Sequence, residues 1–76
     1  MLFHTRYDQR ARIPAIEVAM RRAGLDGTFV RRCCAVAAVD QGVFDLLDLW
    51  RHDVADRPDI ELDLHAALHD YEKAYR

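Results

Sequence analysis

The chain has 76 residues, 51% of them hydrophobic, and a formal net charge of −2. This length predicts one domain, residues 1–76, and the net charge excludes the strongly basic surface of a protein that coats nucleic acid. The charges are unevenly distributed: residues 1–32 carry seven arginines against three acids, whereas residues 33–76 carry four basic residues against ten acids. We expect the two halves to neutralise each other in the folded domain. The alternative is a bipolar molecule with a basic face for an anionic partner.

The sequence predicts a cytoplasmic protein. No apolar run is long enough to span a bilayer, and the N-terminal residues lack the apolar core of a signal peptide. The two cysteines, Cys33 and Cys34, are adjacent and do not bridge comfortably on a helix. We therefore expect reduced thiols packed in a core.

The first part of the chain predicts an arm followed by a helix. Residues 1–12 are predicted to form a short extended arm or an irregular first helix. We expect the side chains of Phe3 and Tyr7 to pack against the rest of the domain. A helix is predicted over Pro14–Ala23, because proline suits the first helical position. Gly24 is a typical left-handed residue after a helix end.

The stretch Thr28–Trp50 predicts a central helix over about residues 28–51. Its apolar residues recur at three- and four-residue steps, and the segment CCAVAAV is apolar on every side, as in a buried helix. Thr28 is the predicted N-cap. Gly42 costs about 1 kcal/mol relative to alanine in a helix. We favour one long, kinked helix because the apolar stripe keeps its phase across Gly42, and the alternative is two helices meeting at residues 40–42.

A polar connection over residues 52–57 leads to a last helical element over residues 59–76. Its apolar residues form one stripe at helical spacing: Ile60, Leu64, Leu68, Tyr71 and Tyr75. Together these elements predict an all-α fold, a small three-to-four-helix domain around the central helix.

The segment Pro14–Cys33 is similar to a helix-turn-helix unit, with Gly24 in the turn between two helices. Arg31 and Arg32 lie early in the second helix, where they could reach base edges or phosphates. The second helix is unusually long and apolar, however, which is typical of a core element. An ordinary helical hairpin would share the same glycine turn, so DNA binding is the alternative interpretation.

His65, His69 and Glu72 share one stripe of the last helix, and two histidines with a carboxylate suit zinc or iron. No second carboxylate-rich helix with matching spacing converges on them, so this is a weak metal candidate and no cofactor is predicted. The sequence contains no nucleophile–base arrangement, phosphate loop or dinucleotide fingerprint. We therefore do not expect an enzyme.

The absence of catalytic motifs, the high apolar content and the split charge predict a non-catalytic protein–protein interaction module. It would be a regulator, inhibitor or accessory subunit, of the compact kind that phages encode, binding a partner protein or a second copy. The alternative is a DNA-binding transcriptional regulator using residues 14–33. Trp50 would anchor an interface if exposed and close the core if buried. The candidate partner-binding residues are Arg21, Arg22, Arg31, Arg32, Asp45, Asp48 and Trp50.

Overall fold

The computed structural model describes residues 6–53 and 59–75, and all its regular elements there are helices. They are α1 (Arg6–Arg22), α2 (Gly27–Ala37), α3 (Gln41–Asp53) and α4 (Ile60–Ala74). The predicted all-α fold of three to four helices is confirmed. The expected docking of Phe3 and of the Tyr7 side chain lies outside the described residues, as does most of the polar connection.

The single central helix predicted over about residues 28–51 is wrong, because α2 ends at Ala37 and α3 begins at Gln41. The alternative of two helices is correct, but they meet at residues 38–40 and not at residues 40–42, since Gln41 and Gly42 already belong to α3. Asp40 causes the restart: its carboxylate accepts the Val43 N–H at 2.9 Å, which satisfies one of the free amides of the first turn of α3. Val39, in the break, is 51% exposed.

Helix α1 begins at Arg6, so the prediction of a start at Pro14 is wrong and the proline lies inside the helix. Pro14 removes one hydrogen bond, to the Arg10 carbonyl. Pro14 lies on the exposed side of α1, where water can replace that bond. Gly24 follows the helix with a φ of 88°, which confirms the predicted left-handed residue after the helix end.

The N-cap of α2 is Asp26 and not Thr28. The Asp26 carboxylate accepts the Phe29 N–H at 3.1 Å, and α2 therefore begins at Gly27. Aspartate is at least as good an N-cap as threonine, so the acid one residue before Gly27 determines where the helix begins.

The core is formed by all four helices. Helices α2 and α3 each contact the other three, whereas α1 and α4 are not neighbours within the described part. The region predicted to be central is therefore central, but as two helices. No polar or charged residue is buried among the described residues. None of the described helices has the length and hydrophobicity of a bilayer-spanning segment. The core residues are Ile13, Ile16, Met20, Phe29, Val30, Cys33, Cys34, Val36, Ala37, Val43, Phe44, Leu47, Trp50, Ile60, Leu64 and Leu68.

Candidate functional site

An open groove with a volume of about 370 Å³ lies between the start of α3 and the last turns of α4. We call it the α3–α4 groove. A second cavity, between the N-terminal part of α1 and the α2–α3 break, measures about 10 Å³, which is room for one water molecule. The residues that line the α3–α4 groove are Asp40, Gly42, Val43, Leu46, Ala67, Asp70, Tyr71, Ala74 and Tyr75.

The α4 wall of the groove follows one helical stripe, because its residues recur at three- and four-residue steps from Ala67 to Tyr75. At 1.5 Å per residue this stripe is about 12 Å long. Two tyrosines dominate it: Tyr71 is half-buried and Tyr75 is 75% exposed. Their ring centroids lie 4.6 Å apart with a tilt of 32°, so the two rings support each other as one aromatic surface.

The α3 wall supplies an apolar floor. Val43 is 1% exposed and Leu46 is half-buried, so the groove opens directly onto the hydrophobic core. Gly42 adds no side chain, which keeps the floor accessible. A partner side chain entering here would contact core residues of α3 and would lose its own hydration.

The groove carries negative charge. Its two ionisable residues other than tyrosine are Asp40 and Asp70, and no lysine, arginine or histidine is among the described residues that line it. Asp70 is exposed and Asp40 is half-buried. Since one oxygen of Asp40 already accepts the Val43 N–H, its second oxygen remains for a partner.

Two of the four predicted arginines are held in ion pairs. Arg32 donates to both oxygens of Glu72 at 2.6 and 3.0 Å, and this hydrogen bonding, followed by the charge of Glu72, raises the pKa of Arg32. Arg21 donates to Glu17 at 2.9 and 3.2 Å. Arg22 is exposed, and no ion pair involving it is found in the described part of the chain.

Arg31 resembles Arg22: it is exposed, and within residues 6–53 and 59–75 no ion pair holds it. The two free arginines belong to different helices, Arg22 to the end of α1 and Arg31 to α2. The predicted basic residues therefore do not act as one cluster of four free charges.

The predicted acidic residues lie on α3 but outside the groove. Asp45 is exposed and accepts a hydrogen bond from Gln41 at 2.8 Å. Asp48 is half-buried and forms an ion pair with Arg12 at 3.4 Å. Trp50 is 3% exposed, so of its two alternative roles the structure has the one in which it closes the core, and Trp50 offers no exposed interface anchor.

The predicted metal-binding residues are not brought together. Glu72 is occupied by Arg32, and the His65 ring stacks on Phe29 with centroids 4.0 Å apart. His69 is exposed. Among the described residues no group of three or more His, Cys, Asp or Glu could hold a metal ion. Helical spacing places the three side chains on one stripe, but two of them contact α2 instead: Glu72 pairs with Arg32, and His65 stacks on Phe29.

The adjacent thiols are part of the core. Cys33 and Cys34 are free and buried, as predicted. Burial raises the pKa of Cys33 to about 12, with a further contribution from Cys34, and burial also raises the pKa of Cys34 to about 11. Both side chains are therefore neutral at pH 7, and a neutral buried thiol is a poor nucleophile and metal ligand.

Sequence reasoning missed the α3–α4 groove. It placed Tyr71 and Tyr75 on one apolar stripe with Leu64 and Leu68, but Tyr75 is 75% exposed. The available signal was a second stripe on the same helix, Ala67, Ala74 and Tyr75, which is offset from the core residues Leu64 and Leu68. Comparison with protein-family models, curated proteins and solved structures gives no match to this chain.

Proposed function

We propose that this chain is a small, non-catalytic protein–protein interaction module that binds its partner through the α3–α4 groove. It would act as a regulator, inhibitor or accessory subunit. One observation carries the proposal: the groove is a concave surface with an apolar floor, Val43 and Leu46, beside an aromatic pair in which Tyr71 is half-buried and Tyr75 is exposed. Tyrosine is among the residues that most often dominate binding energy at protein interfaces.

The α3–α4 groove leaves apolar side chains in contact with water. An exposed apolar surface is costly in proportion to its area, and contiguous apolar patches on small proteins commonly mark interaction sites. Here the patch is concave and lined by Leu46 and Val43, so a convex side chain from a partner can fill it. The carboxylates at its edge, Asp40 and Asp70, supply orientation and partner selection.

A matched pair of variants on α4 tests the proposal. Ala74 lines the groove and is exposed, whereas Ala66 is exposed on the same helix but does not line the groove. Arginine is a good helix former at either position, so Ala74→Arg blocks the groove and Ala66→Arg leaves it open. Equal circular dichroism spectra and unfolding midpoints would show that both variants fold.

The measurement is capture of proteins from the source cells on the tagged full-length chain, quantified by mass spectrometry. We expect a stoichiometric protein that is retained by Ala66→Arg and reduced at least tenfold by Ala74→Arg. A partner that both variants retain equally would place binding elsewhere. The absence of any stoichiometric partner would contradict the interaction module itself.

DNA binding through α1 and α2 is the second candidate, favoured by Arg22 and Arg31, which are exposed and form no ion pair with the described residues. Two observations weigh against it: Glu72 occupies Arg32, and six of the eleven residues of α2 are buried, as expected of a core helix. Retention on duplex DNA that weakens steeply with salt and is lost in Arg31→Ala would support DNA binding. No retention at low salt would eliminate it.

A further inference from the structure

We infer that the partner presents an amphipathic α-helix of about two turns to the α3–α4 groove, with apolar side chains inward and a lysine or arginine facing Asp40 and Asp70. The inference rests on the proposed function and specifies its ligand. Three properties of the groove support this inference: its dimensions, the absence of a sheet edge among its described lining residues, and its charge.

The dimensions suit a short helix. The α4 wall is about 12 Å long, which corresponds to about two helical turns of 5.4 Å pitch. Small residues, Gly42 on α3 and Ala67 and Ala74 on α4, line the walls, and helices approach most closely where side chains are small. A partner helix laid over this seam would present anchors at three- and four-residue steps.

Extended and proline-rich peptides are poorer candidates. An extended peptide usually gains affinity by pairing with a sheet edge, and the groove is lined by residues of two helices and their ends, which offer no such edge. Proline-rich peptides insert rings between aromatic side chains. The rings of Tyr71 and Tyr75 are 4.6 Å apart and contact each other, which leaves no slot between them.

The charge selects a basic helix. The lining contains Asp40 and Asp70 and no cation among its described residues. An acidic partner would meet repulsion from both carboxylates, whereas a lysine or arginine would pair with them. The faces of the two tyrosine rings attract a cation as well. Charge of this kind influences which partner binds and how fast it associates more than it raises affinity.

The test uses three synthetic helical peptides, a fourth that is not helical, and the full-length chain, with binding measured by fluorescence anisotropy at low salt. Two peptides share one leucine stripe and differ only in flanking arginines or glutamates. The third replaces the leucines by serine, and the fourth is proline-rich. We expect saturable binding of the arginine peptide, about tenfold tighter than that of the glutamate peptide, and no binding of the other two.

Matched carboxylate variants assign the preference to the groove. Asp40→Asn with Asp70→Asn removes both charges, while asparagine preserves the N-cap at residue 40. The control, Asp45→Asn, removes an exposed charge of α3 outside the groove. The tenfold preference should collapse to about twofold in the double variant and persist in the control. In amide chemical-shift mapping, the arginine peptide should shift Gly42 and Ala74.

Two results would overturn the inference: equal binding of the arginine and glutamate peptides, or shifts confined to α1 and α2. Preferential binding of the proline-rich peptide would also overturn it. If none of the peptides binds but Ala74→Arg still releases the cellular partner, the proposed function stands and the helical ligand class is wrong. If the arginine peptide binds but no partner depends on Ala74, the ligand class stands and the proposed function fails.

Discussion

Replacing Asp40 by alanine should lower the free energy of unfolding by about 1.5 kcal/mol, because this residue caps α3. Its carboxylate accepts the partly buried Val43 N–H at 2.9 Å, and loss of an N-cap costs about 1 kcal/mol, with a range of roughly 0.5–2. The negative charge at the N-terminus of a helix adds about 0.5 kcal/mol. For a domain of this size, 1.5 kcal/mol lowers the melting temperature by about 6–12 °C.

Two further variants separate the cap from the charge. Asp40→Asn preserves a capping oxygen and loses the charge, so it should cost about 0.5 kcal/mol. Asp45→Ala, an exposed position of the same helix, should stay within about 0.5 kcal/mol of the wild type. Urea unfolding can be followed by circular dichroism and by the fluorescence of Trp50, the single tryptophan, which is 3% exposed in the native state.

The same experiment decides between two helices and one. If Asp40→Ala were as stable as the wild type, the cap would not maintain the break at residues 38–40. If it also gained helical signal, α2 and α3 would have joined into the continuous helix that the periodicity favours. Either outcome would refute the argument that Asp40 begins α3.

Three other predictions follow from backbone and core geometry. Gly24→Ala should cost about 1 kcal/mol in urea unfolding, because φ is 88° there. Gly27→Ala should change stability by less than about 0.5 kcal/mol, because its Cβ would meet only the side-chain nitrogen Nη1 of Arg21, at 3.3 Å, which a small rotation of that side chain relieves. Leu68→Ala, at a 1% exposed site, should cost about 3 kcal/mol by the same assay. The free energy of unfolding should fall between about pH 9 and pH 11, with a limiting slope of about 1.4 kcal/mol per pH unit for each thiol. The pKa of Cys33 is raised from 9.0 to about 12 and that of Cys34 from 9.0 to about 11, so the unfolded chain loses these protons first. Cys34→Ala should reduce the slope of unfolding free energy against pH by about half, and an unchanged slope would contradict this.

The all-α fold class could be predicted because the spacing of apolar residues along the chain indicates helices. Ile60, Leu64 and Leu68 recur at four-residue steps, and all three are buried in α4. Gly24 follows the end of α1 and has the predicted left-handed conformation, because a residue without a Cβ adopts this conformation at little cost. These features depend only on neighbours in the chain.

The break between α2 and α3 could not be found from periodicity. The apolar stripe keeps its phase across it because both helices face the same core, so Cys33 and Val36 before the break and Val43 after it are all buried. The local signal was Asp40, whose side chain competes for the amide three residues later. Periodicity also fails to locate where a helix begins: α2 is capped by Asp26 and not by the predicted Thr28.

The groove lies beyond sequence reasoning because it depends on how α3 and α4 are placed relative to each other. Leu46 and Tyr71 lie 25 positions apart in the chain but line one cavity. A helical stripe shows which residues share a face, and it does not show whether another helix covers that face. Trp50 shows the same limit: the sequence left both burial and exposure open, and tertiary packing buries it.

The charge that a partner encounters is the charge left after internal pairing. Arginines of the basic N-terminal half pair with acids of the C-terminal half, Arg12 with Asp48 and Arg32 with Glu72, as the expected neutralisation requires. Exposed pairs of this kind contribute little stability, but they cancel charge locally. The groove keeps its two carboxylates without a cation among its described lining residues. A net charge of −2 therefore conceals a locally negative groove, and this local sign is the property that the peptide experiment measures.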